Sequence, residues 1–181
     1  AKVIIPSEID GIEVVELASK AFSGDTALTE VVIPSTVKEG HVYCDFLTES
    51  DGPFFGTSLK KATIEAGSIA VPQFIFAGAD KLDTVVIPDT ITSVGDGAFL
   101  KCTSLKSISI PDNAEKIGDA AFSGCTALAS VHLSDNLREL GRQSFKGCTA
   151  LTTVTIPASL EKAHVYCDFT SESDGPFVNS G

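Results

Sequence analysis

Apolar residues recur along this chain in two interleaved rhythms. The short rhythm is alternation: Val85 and Ile87 alternate with Thr84 and Val86. That is the period of a strand with one buried face. The long rhythm is 23 residues. Leu82, Val85 and Ile87 return as Leu105, Ile108 and Ile110, then as Leu128, Val131 and Leu133, then as Leu151, Val154 and Ile156. Pro88, Pro111 and Pro157 close each strand, because proline cannot donate to a ladder. A second apolar set follows at Ile91 and Val94, after which Gly95, Gly118 and Gly141 are expected to turn the chain. Ala98, Phe99 and Cys102 then predict a short turn or helical piece facing inward.

These rhythms define tandem copies. Four of 23 residues begin at Ala62, Val85, Ile108 and Val131. One of 28 begins at Val3, one of 31 spans 31–61, and the last runs from Val154 to Gly181. A single copy cannot cover its own apolar face, but stacked copies can, with strands ~4.8 Å apart in a parallel ladder. Residues 1–181 therefore read as one solenoid domain of about seven repeats, with longer repeats at 31–61 and 154–181, and as a piece of a longer array. Phe99, Phe122 and Phe145 are expected to stack in the core, with Phe54 and Phe177 able to fill the same place.

The pattern IP…(V/I/L)xxxGxxAFxxCxxLxxVxIP, repeated in tandem, resembles the BspA-like leucine-rich-repeat family over essentially the whole chain. The resemblance implies a right-handed β/α superhelix: a parallel β ladder on one face, with short turns and helical pieces on the other. It also implies a secreted or surface-attached protein, since several relatives are adhesins of bacterial or protist surfaces. Where the familiar leucine-rich consensus has asparagine, this chain has Thr90, Asn113, Asn136 and Ser159, so no continuous asparagine ladder is expected.

Composition narrows the partners. The 181 residues carry a net charge of −11, and the 13 Lys and Arg are scattered. Such a chain repels phosphate backbones, so nucleic acid is not an expected partner. No apolar run approaches the ~18–20 residues that span a bilayer, so membrane insertion is not expected either. Methionine is absent and no signal peptide is visible, which reads as a processed or excised segment.

Candidate chemistry falls in two places. Cys102, Cys125 and Cys148 share a column read as holding Asp25, Gly56 and Ala79 in other copies. A column accepting such residues asks for small size, so these thiols are expected to be buried, reduced packing groups. The second place is a duplicated segment, HVYCDFLTESDGPF at 41–54 and HVYCDFTSESDGPF at 164–177. His41, Cys44 and Asp45 lie about five repeats from His164, Cys167 and Asp168. At ~4.8 Å per repeat the two sets are too far apart to share a metal with bonds of ~2.0–2.3 Å. The acids Glu49, Asp51, Glu172 and Asp174 lack the ligand count of a calcium loop and read as solvated turn residues. Each copy reads as the same bulge on the solenoid flank, with Tyr43 and Tyr166 outward and Cys44 and Cys167 inward.

No catalytic, cofactor or metal residue is therefore assigned. The candidate ligand-facing residues are the exposed strand positions Val32, Thr63, Val86, Ser109, His132 and Thr155. The expected function is a non-catalytic extracellular or cell-surface module for adhesion or for binding protein or glycan. The alternative is a structural spacer or stalk that self-associates end to end.

Overall fold

The computed structural model describes residues 1–40, 52–163 and 175–181. The readings made for Tyr43, Tyr166, Cys44, Cys167 and the other residues of 41–51 and 164–174 lie outside that range.

Strand alternation produces the main ladder. It comprises β1 (Lys2–Ile4), β5 (Glu30–Ile33), β7 (Lys61–Ile64), β9 (Thr84–Val86), β11 (Ser107–Ser109) and β13 (Ser130–His132). Every pairing within it is parallel, and Lys61 lies opposite Thr84 as the 23-residue period requires. The inward residues of β5 and β7, Val31, Ile33, Ala62 and Ile64, are all buried. A second wall is made by β4 (Glu16–Leu17), β6 (Glu39–Gly40), β8 (Ala70–Val71), β10 (Ser93–Val94), β12 (Lys116–Ile117), β14 (Glu139–Leu140) and β15 (Lys162–Ala163). From β8 to β15 this wall is one parallel sheet of five strands.

The longer first copy spends its extra residues on a hairpin, β2 (Glu8–Ile9) and β3 (Ile12–Glu13), in antiparallel register. Asp10 and Gly11 at its tip have φ of 52° and 79°. Positive φ at both central residues suits a tight two-residue hairpin, and Asp-Gly is a favoured pair for it.

The helical pieces expected opposite the strands do not form among the described residues; the chain makes turns there instead. The reason is how the backbone donors are divided. The N–H groups of Gly97, Phe99 and Lys101 donate to Asp119, Ala121 and Ser123 of the next coil at 2.7–2.8 Å. The intervening Ala98, Leu100 and Cys102 close three-residue turns onto Gly95, Gly97 and Phe99. A helix would keep all of these donors for its own carbonyls. Here half of them weld one coil to the next.

The role expected of Gly95, Gly118 and Gly141 is also corrected. None of them has positive φ. A Cβ on Gly95 would stand 2.6 Å from Gln73 N, and one on Gly118 2.7 Å from Asp96 N. These glycines let successive backbones approach; they do not turn the chain. The left-handed positions lie further on, at Phe74, Gly97, Ala120 and Gln143, and again at Gly78, Lys101, Gly124 and Gly147.

The core is organised by one aromatic stack. Rings of Phe22, Phe54, Phe76, Phe99, Phe122, Phe145 and Phe177 follow one another with centroids 5.1–5.9 Å apart. The expected substitution of Phe54 and Phe177 for the core phenylalanine is thus what the fold contains. A polar stack runs beside the coils. Thr90 Oγ1 donates to Ser68 O, Asn113 Nδ2 to Asp89 O, Asn136 Nδ2 to Asp112 O, and Ser159 Oγ to Leu137 O. The column is a ladder of mixed donors, each reaching a carbonyl of the coil before.

Candidate ligand-binding face

The register of the main ladder decides which outward side chains become neighbours. Val32 lies opposite Thr63 and Thr63 opposite Val86, while Ser109 lies opposite His132. Val32 and Thr63 are half-buried; Val86, Ser109, His132 and Thr155 are exposed. A second outward row pairs Glu30 with Lys61 and Lys61 with Thr84, and Ser107 with Ser130. His132 Nε2 is 3.9 Å from Asp112 Oδ1 at this surface. Thr155 differs from the rest, because residues 151–157 form no strand against β13. Ile156, expected inside, is exposed there. The gap left is a cleft of about 320 Å³ lined by Val131, His132, Asp135, Thr155 and Pro157, among others.

The second wall presents a different surface. Its charges are paired between coils: Lys116 with Glu139 at 3.1 Å, Arg138 with Glu161 at 2.6 Å, and Arg142 with Asp119 at 2.8 Å. Exposed pairs of this kind contribute ~0–1 kcal/mol each. They leave that wall electrostatically matched to itself, whereas the strand face is small, hydroxyl-rich and little charged.

The thiols are core groups. Cys102, Cys125 and Cys148 are buried free thiols. Each Sγ donates to a phenylalanine carbonyl of the preceding coil, Phe76, Phe99 or Phe122, at 3.1–3.2 Å. Burial pushes all three thiols up, and Cys148 reaches about 11. Asp80 adds to the effect at Cys102, and the two flanking thiols add to it at Cys125. A thiol that keeps its proton is a poor nucleophile and a poor metal ligand. One column assignment is corrected. Thr57, three residues after Phe54, stands in this column, while Gly56 belongs to the left-handed column with Gly78. The 31-residue copy hid that shift. Among the described residues no group of three or more His, Cys, Asp or Glu could hold a metal ion. Nor is any described helix long and apolar enough to cross a membrane.

Coils stacked in parallel register, with a recurring Leu column and a continuous aromatic core, define a leucine-rich-repeat solenoid. The sequence profile of the BspA type leucine rich repeat region matches residues 50–173 in six copies. The chain belongs to that family, whose members are generally surface and protein-interaction proteins. It is similar to a leucine-rich repeat protein from Bacteroides ovatus, at 29% identity and a TM-score of 0.65 over 88% of this chain. It is also similar to the leucine-rich repeat protein TpLRR of T. pallidum, at 30% identity and a TM-score of 0.58 over 83% of this chain. The match covers 40% and 66% of those two chains. No curated protein matches the sequence.

Proposed function

We infer that the chain is a non-catalytic binding or adhesion module of an extracellular or cell-surface protein, and that its strand face recognises protein or glycan. The observation that supports this most is the in-register row Val32–Thr63–Val86 together with Ser109–His132, a flat run of outward side chains not committed to the core. Family membership supports the surface location. The residues assigned to contact are Val32, Thr63, Val86, Ser109, His132 and Thr155. The test is binding of immobilised full chain to panels of extracellular-matrix proteins and of glycans. Saturable binding that is lost in both Val86→Arg and Ser109→Arg, with thermal stability kept, is the expected result. No saturable ligand, or binding by both variants equal to that of the unchanged chain, would favour a spacer or self-assembling stalk.

A further inference from the structure

The strand ladder is interrupted in mid-array. The coils before and after show what a closed step looks like. Lys60 O accepts from the N–H groups of both Asp83 and Thr84, and Lys106 O accepts from those of both Ala129 and Ser130. The equivalent step, from Lys106 and Ser107 to Asp83 O, is not made among the described residues. Likewise Ile5 N–H donates to Val32 O and Ile110 N–H to His132 O, but Ile87 N–H does not reach Ser109 O. The strands accordingly fall into separate sheets, β1–β5–β7–β9 and β11–β13.

Side chains record the same opening. In β5 and β7 the first inward residues, Val31 and Ala62, are 1% and 0% exposed. At the seam, Val85 and Ile87 of the last closed coil are only half-buried. The aromatic core does not open with them, since Phe76, Phe99 and Phe122 remain stacked at 5.4 and 5.1 Å. The coils are thus held together at the back and parted at the strands.

We propose that the seam between β9 and β11 is a strand-insertion site that takes an extended polypeptide segment. Two facing strand edges carry main-chain donors and acceptors at the spacing of a β ladder, and only another extended backbone matches both at once. An inserted strand would stand ~4.8 Å from each edge. Its inward side chains would cover Val85 and Ile87, and its outward ones would join the row of Val86 and Ser109. A glycan cannot supply the alternating N–H and C=O groups, so the partner class is protein. The proposal rests on the strand face being the working surface, but its test needs no natural ligand.

The probe is a labelled synthetic peptide copying Ser104–Ile110, a segment containing β11, which this fold already pairs in parallel with β13. Binding to the full chain is read by fluorescence anisotropy, and site by amide hydrogen exchange. The expected result is saturable binding with slowed exchange at Ile87 and Ser107 and none at Thr63. Blocking two of the peptide's pairing amides by N-methylation should weaken binding about tenfold, at ~0.5–1.5 kcal/mol per hydrogen bond. Absence of binding would overturn the proposal, as would equal binding of the methylated peptide. So would exchange at Ile87 and Ser107 in the free protein as slow as at Thr63, because the seam would then be closed.

Discussion

Phe122→Ala tests the aromatic core where it is most constrained. The ring is fully buried and lies between Phe99 and Phe145, each 5.1 Å away and within 6° of parallel. Truncating a buried phenylalanine costs ~3–5 kcal/mol, depending on how far the site can collapse. Here collapse is opposed from both sides. Phe99 N–H is bonded to Ala121 O at 2.8 Å and Phe122 N–H to Ser144 O at 2.7 Å, so the coils above and below are pinned at the cavity. Two stacked partners are lost as well, each worth ~0.5–1.5 kcal/mol beyond area. The loss should therefore fall near the upper end, about 4–5 kcal/mol. For a chain of this size each kcal/mol moves the melting midpoint by ~2–4 °C, so the drop should be about 8–20 °C. Phe22→Ala is the control. That ring is half-buried and stacks on Phe54 at 5.2 Å, so its removal should cost about half as much. Urea unfolding followed by circular dichroism measures both. A loss below about 2 kcal/mol for Phe122→Ala, or equal losses for the two variants, would refute a continuous load-sharing stack.

Further outcomes follow from the core and its turns. Cys102, Cys125 and Cys148 should resist alkylation until the chain unfolds, and changing all three to Ala should preserve the fold, as Ala79 already occupies the column. Because burial raises their native pKa above the ~8.5 of an unfolded thiol, their contribution is intact below that pH and is lost as pH rises, through about pH 11 for Cys148; the triple variant should lack this alkaline slope in urea titrations. Ser144→Ala should stabilise by about 1–2 kcal/mol, since Ser144 Oγ is buried with no hydrogen-bond partner among the described residues and sits in the column of Ala98 and Ala121; an unchanged or lower melting midpoint would contradict this. Gly147→Ala should destabilise by about 1 kcal/mol through backbone strain alone, because φ there is 69° while the space for a Cβ is open to 3.9 Å; a neutral melt would show that the turn can relax.

Much of this architecture is legible in the residues themselves. The 23-residue return of Leu, Phe and Cys states which side chains face inward, and burial of Phe99, Phe122 and Phe145 follows from period alone. A column that takes Ala79 as readily as cysteine announces packing in place of thiol chemistry. What periodicity cannot carry is the choice of main-chain partner. Whether Phe99 N–H closes its own helical turn or reaches Ala121 in the next coil leaves the inward column unchanged. The sequence therefore reads equally well as helical pieces or as turns, and only stacking chooses. The same holds for Gly95, where the missing Cβ serves the backbone of Gln73, 22 residues earlier, and not the local turn. It holds also for the seam, where β9 and β11 have the alternation of a closed ladder yet no bond joins them. Side-chain burial is written in local period because each coil meets the same neighbours. Hydrogen-bond pairing between coils is decided by distances that exist only once the coils are stacked.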